Sequence, residues 1–158
     1  MCKIFISIAS FRDRNLLQTI NDLKSKAVNK SNLVFGIVIQ DTDSQLQYYK
    51  QIFSNDKSCK VYYINYKNSL GCCWARSRAQ SLMEDETYFM QIDAHHIFVD
   101  KWDELLINML SMCNSKKPIL STYGTPCDLE NKFKITFEDV PYRMKCDSFY
   151  DFHKVKYI

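Results

Sequence analysis

Asp93 and His95 stand two residues apart at the end of a short apolar run, Tyr88-Phe89-Met90-Gln91-Ile92, with a second imidazole at His96. A carboxylate and a neutral imidazole at that spacing can converge on one divalent cation. Oxygen and nitrogen donors with open positions suit Mn²⁺ or Mg²⁺ better than a closed zinc cage, and a diphosphate can fill the open positions. A cation held there would neutralise a diphosphate leaving group. The same residues also fit a plainer reading, with Asp93 capping a turn and the histidines on the surface. The pair alone does not choose between the two.

Its position in the chain carries more information. The apolar run has strand length and suits a strand covered on both faces, so Asp93 is the first residue with no reason to be buried. In open α/β sheets, ligands bind outside the carboxyl ends of the strands. Two earlier segments end the same way: Lys3 to Ser10 is rich in Ile and Phe and runs out into Phe11-Arg12-Asp13, and Leu33 to Ile39 runs into Gln40-Asp41-Thr42-Asp43. Both are predicted strands that deliver polar residues to one edge. Lys60 to Asn65 is predicted as a further strand, and Pro118 to Gly124 as another.

Helical spacing links these strands. Leu16, Leu17, Ile20, Leu23 and Ala27 predict a helix over 15–27, with Asp13 or Asn15 as its cap. Leu46, Tyr49, Ile52 and Phe53 predict a second over 45–53. Trp102, Leu105, Leu106, Met109, Leu110 and Cys113 predict a third over 101–113, its apolar residues read as core. Gly71 opens another helix carrying Arg76 and Arg78. A helix start tolerates anions, so the arginines meet phosphate there, or else the glycine only turns the loop and the arginines are solvated. This alternation predicts a mainly parallel α/β sheet with helices on both faces. A dinucleotide oxidoreductase would alternate in the same way, but it would need a Gly-x-Gly-x-x-Gly phosphate turn that this chain lacks.

With 158 residues the chain suffices for one domain, expected as a donor-binding core over 1–123 and a short part over 124–158. Its formal net charge of +3 is spread without long single-sign runs, which argues against nucleic acid or a membrane surface as partner. No apolar stretch reaches the roughly 20 residues of a membrane span, and no cleavage signal precedes the first strand, so a cytosolic protein is expected. Seven cysteines is an odd count, with adjacent Cys72 and Cys73 and no zinc-like spacing. Reduced, mostly structural thiols follow.

Taken together, Ser7-Ile8-Ala9-Ser10-Phe11-Arg12-Asp13, Phe35 to Gln40, Gly71-Cys72-Cys73-Trp74-Ala75-Arg76, Gln91 to His95 with Phe98 and Trp102-Asp103, and Leu120-Ser121-Thr122-Tyr123 resemble the cytosolic N-acetylglucosaminyltransferase family that modifies hydroxyproline on a ubiquitin-ligase subunit. The resemblance runs from about Lys3 to Tyr123. It implies a GT-A fold, UDP-N-acetylglucosamine as donor, a divalent metal, and retaining transfer to a protein hydroxyl. By position, Asp93 and His95 match the family's metal-binding Asp-x-His, and Ala9, Ser10, Phe11 and Arg12 match the segment expected to hold uridine. Gln40 and Asp41 end the strand that meets the base, while Gly71 and Arg76, with Asp93, face the nucleotide-sugar. The chain departs from the family in having Gly124 where a proline is usual and in a shortened acceptor half, with His153 as either a further metal ligand or a surface residue. A non-catalytic nucleotide-sugar-binding module is the alternative function.

Overall fold

The computed structural model describes residues 2–122, 146–151 and 154–157, with side chains described up to residue 122. It forms two compact units, Met1–Glu104 and Leu105–Ile158. In the first, β1 (Ile4–Phe11), α1 (Leu16–Lys26), β2 (Leu33–Asp41), α2 (Asp43–Phe53), β3 (Cys59–Asn65), α3 (Cys72–Gln80) and β4 (Tyr88–Asp93) follow in order, and α4 (Trp102–Met112) begins at its end. The four strands make one sheet in the order β3-β2-β1-β4, and every pairing is parallel. This is the α/β architecture expected from the alternation of strands and helices.

The strand order creates the crevice. From β1 the chain winds outward through β2 to β3, then returns past β1 to add β4 on its other side. The direction of winding therefore reverses between β1 and β4, a switch point of the kind at which open α/β sheets bind ligands. Ala9 and Asp93 are direct partners in the β1–β4 register, so the end of β1 and the Asp-x-His motif flank that point.

Alternation along the strands assigns the two faces. Val38 packs on Ala75 and Ala79 of α3. On the same face Gly36 is required, because a Cβ there would overlap the Phe5 ring and stand 2.9 Å from the Ala79 carbonyl. Phe35 faces the other way, with the Lys24 ammonium of α1 5.1 Å from its ring centroid. Helices thus cover both faces, and Phe5, Ile6, Ile8, Phe35, Ile37, Val38 and Ile39 are buried between them.

Several boundaries and one element differ from expectation. Helix α2 starts two residues early, at Asp43, because the Thr42 hydroxyl accepts the Gln45 N–H and caps it. For α1, Asn15 takes the cap position without a side-chain cap bond, while the Asp13 carboxylate accepts the Asn15 N–H. The stripe on α4 is not core throughout. Trp102 is buried, its indole N–H donating to the Leu23 carbonyl, but Leu105 and Met109 are about half exposed. No strand forms over 118–122, where Pro118 removes a donor and, among the described residues, no strand pairs with the segment. The rest of that expected strand, at Tyr123 and Gly124, lies outside the described residues.

The second unit contains the remainder of α4 and an antiparallel hairpin, β5 (Cys146–Asp151) with β6 (Lys154–Tyr157). Weak periodicity hid this hairpin in the sequence. His153, Pro126 and the aromatic stretch over 133–137 lie outside the described residues. Among the described residues, no helix is long and apolar enough to cross a membrane, and Cys2, Cys59, Cys72, Cys73 and Cys113 are free thiols.

Candidate functional site

A cavity of about 560 Å³ opens at the carboxyl ends of β1 and β2, lined by Ala9, Phe11, Gln40, Tyr66, Ser69, Gly71 and Cys72. Ala9, Phe11, Gln40 and Gly71 were expected to meet at a nucleotide-sugar. Ala9 and Phe11 reach the cavity because odd-numbered residues of β1 face α3. Gln40 ends β2 in a fixed orientation, its amide nitrogen 3.4 Å from the Ser10 carbonyl and its amide oxygen accepting the Ser69 hydroxyl at 2.6 Å. Gly71 sits at φ +96° immediately before α3, a backbone state that disfavours a side chain.

Ser10, Arg12 and Asp41 do not line the cavity. The first and last follow from the two-residue period: Ser10 and Asp41 are buried and belong to the α1 and α2 face. The Asp41 carboxylate accepts the Thr42 N–H there and helps raise the Tyr49 phenol's pKa, second to burial itself. Arg12 lies at the rim. Its φ of 51° is rare for a residue with a side chain, its N–H donates to the Gln40 carbonyl at 2.9 Å, and its guanidinium lies 4.8 Å from the Tyr66 ring centre.

At the end of β4 and in the loop after it lie one ion pair and one carboxylate–imidazole contact. Arg76, one helical turn after Cys72 and so on the same side of α3, donates from Nη2 to Asp93 Oδ1 at 2.8 Å. That bond raises the guanidinium's pKa above its already high value, against the opposing effect of burial. Arg76 Nε is buried with no hydrogen-bond partner. His95 Nδ1 lies 2.7 Å from Asp13 Oδ2, joining the loop after β4 to the loop after β1. The motif loop is pinned by Thr19 of α1, whose buried hydroxyl contacts the Ala94 carbonyl at 3.0 Å and accepts the His96 N–H at 3.0 Å.

Sequence reasoning missed Tyr66, Ser69 and Cys72 as lining residues, Asp13 as a partner of His95, and Thr19 as an anchor. Thr19 did leave a signal, since it is the polar residue within the Leu16, Ile20, Leu23 stripe that the helix buries. Tyr66 and Ser69 left none, because they follow β3 in a short 3-10 turn whose direction depends on the sheet.

A family model described as Glycosyltransferase (GlcNAc) matches residues 3–62 and 44–156. The chain belongs to this family. Among curated proteins no match is found. The cavity at the carboxyl ends of β1 and β2 is the candidate site; Arg76, Asp93 and His95 are not among the residues that line it.

Proposed function

We propose that this glycosyltransferase uses a UDP-sugar, with N-acetylglucosamine as the sugar, and passes the sugar to a protein hydroxyl with a divalent cation, Mn²⁺ or Mg²⁺, on Asp93 and His95. The observation that carries the reading is the cavity itself. Its aromatic wall of Phe11 and Tyr66 and its Gln40 amide suit a planar base, and the Gly71 turn leads into α3, which carries Arg76. A diphosphate oxygen at the partly exposed Arg76 guanidinium would gain a charge-assisted hydrogen bond.

In this reading Asp93 and His95 would be the protein's ligands to the cation. Asp93 Oδ2 and His95 Nε2 have no partner among the described residues, while the other polar atom of each side chain is held by Arg76 or Asp13. No group of three or more His, Cys, Asp or Glu side chains able to hold a metal occurs among the described residues. Two protein ligands leave the remaining positions to diphosphate oxygens and water, the usual arrangement for Mg²⁺-type ions. When bound, the cation offsets the negative charge that builds on the departing diphosphate. The protein's part is to hold the diphosphate through Arg76 and the α3 N-terminus, and to seat the base against Phe11 and Tyr66.

Hydroxyproline on a protein is the acceptor proposed, on the resemblance of the Ala9 to Arg12, Gly71 to Arg76 and Asp93 to His95 blocks. Calorimetric titration of UDP and UDP-N-acetylglucosamine, with and without Mn²⁺, tests donor and cation together. Labelled donor with a hydroxyproline peptide then tests transfer. Metal-dependent UDP binding with peptide labelling supports the full reading. Binding without labelling would leave a nucleotide-sugar-binding module, and no binding of any UDP compound would overturn the site.

A further inference from the structure

We infer that Asp13 is a positioning residue for the cation site: it holds His95 by Nδ1 and presents Nε2 to the metal. The inference rests on the proposed cation at Asp93 and His95. It begins with an imbalance between the two partners. The His95 side chain is 54% exposed, and a surface imidazole on a loop ordinarily rotates among rotamers, whereas the Asp13 side chain is only 18% exposed. Asp13 is therefore the fixed member of the pair.

Local structure explains why. Arg12 turns the chain through a positive φ as it leaves β1, and Asp13 Oδ1 then accepts the Asn15 N–H at 2.8 Å at the start of α1. With one oxygen engaged by the backbone, the carboxylate cannot turn, and Oδ2 is aimed at His95 Nδ1 at 2.7 Å. The Tyr49 hydroxyl, 3.4 Å from the Asp13 carbonyl, adds a further tie to α2. Three elements thus converge on Asp13, and the loop after β4 supplies His95.

The chemical consequence concerns the ring's two nitrogens. A carboxylate at Nδ1 favours the tautomer with hydrogen on that nitrogen, which leaves Nε2 with its lone pair and makes it a better donor. It also removes the rotational freedom that the exposed ring would otherwise lose on binding a metal. Carboxylate partners of metal-bound histidines typically account for about 10–100-fold in metal affinity. A surface His–Asp pair with no such role would change folding stability slightly and leave metal affinity alone.

Calorimetric titration of Mn²⁺ into the full chain in the presence of UDP distinguishes these cases, using wild type, Asp13→Ala, His95→Ala and the double variant. Asp13→Ala is expected to weaken Mn²⁺ binding by about 10–100-fold, and to cause no further loss once His95 is already alanine. If Asp13→Ala fails to fold, Asp13→Asn takes its place, since its amide oxygen still accepts the Nδ1 hydrogen while the charge is lost. A smaller loss that vanishes in the His95→Ala background is then expected. Affinity within about twofold of wild type, or an equal loss in both backgrounds, overturns the role given to Asp13 while leaving the cation site intact. A wild-type chain that binds no Mn²⁺ overturns the cation site and this inference with it.

Discussion

The two ends of the parallel sheet both carry polar side-chain pairs and use them differently. At the amino end, Lys60 Nζ is surrounded by Glu86 Oε1 at 3.0 Å, Glu84 Oε2 at 3.1 Å and the Leu82 carbonyl at 3.1 Å, and the Glu86 side chain is 1% exposed. Lys24 and Asp56 pair beside the start of β3, with Ser58 donating to the same carboxylate from its N–H and its hydroxyl. The Cys59 thiol next to them is pushed up to about 11, chiefly by burial and also by the Asp56 charge, which keeps it protonated and inert. These groups are mutually satisfied. At the carboxyl end, Arg76–Asp93 and Asp13–His95 hold Asp93 and His95, the proposed cation ligands, by one polar atom each, and the other atom of each is unpaired among the described residues. Binding needs such spare valence, and stability does not.

Separating the two ends by mutation sharpens that contrast. The largest expected effect is at the amino end. Lys60→Met would strand the buried Glu86 carboxylate and lower stability by about 3–5 kcal/mol in denaturant titration, with unchanged UDP affinity in the folded fraction. Arg76→Ala should do the reverse. Losing a charged hydrogen bond to phosphate removes about 1.5–3 kcal/mol of UDP binding while uridine binding stays constant and stability falls by less than about 1 kcal/mol, because the Arg76–Asp93 pair is partly exposed to solvent. Equal losses for UDP and uridine would move Arg76 out of the phosphate site.

Acid titration probes the amino end more gently. Burial raises the Asp56 pKa, but hydrogen bonds from Lys24 and Ser58 outweigh it and hold the carboxyl at about 2, against an ordinary 3.8. A depressed native pKa stabilises the fold above the unfolded value, and this contribution is lost as pH falls from 3.8 towards about 2. Asp56→Asn should therefore cost about 1–2 kcal/mol at neutral pH and flatten the stability curve across that window. An unchanged slope would show that Asp56 titrates alike in both states. The smallest effect is expected from Lys3→Ala, which removes an exposed pair with Asp85 and should shift stability by no more than about 0.5 kcal/mol.

Local patterns were enough for the strands and helices of the first unit, because each element's burial is written into its own period. Apolar runs at Ile4 to Ile8, Leu33 to Ile39 and Tyr88 to Ile92 named three strands, and polar residues arriving together after each marked the edge where a ligand site belongs. The expected strand at Pro118 failed because a strand exists only with a partner, and partnership is not a local property. The hairpin of Cys146–Asp151 with Lys154–Tyr157 was missed for the converse reason: its residues alternate too weakly to announce it.

The sequence by itself determined which residues could do chemistry near the sheet edge, Asp93, His95, Arg76, Gln40 and Phe11 among them, since residue type and strand end are local facts. Only the tertiary structure decided how they are arranged. Asp13 meets His95 across 82 residues of chain and Arg76 meets Asp93 across 17, contacts that exist because β4 inserts beside β1 and α3 crosses back over the sheet. Tyr66 and Ser69 join the cavity through a turn aimed by β3, while Ser10 and Asp41 are withheld from it by the pleat, which sends neighbouring side chains to opposite faces. Spacing along a chain states which groups are available; register between strands, a property of no single segment, states which of them share a site.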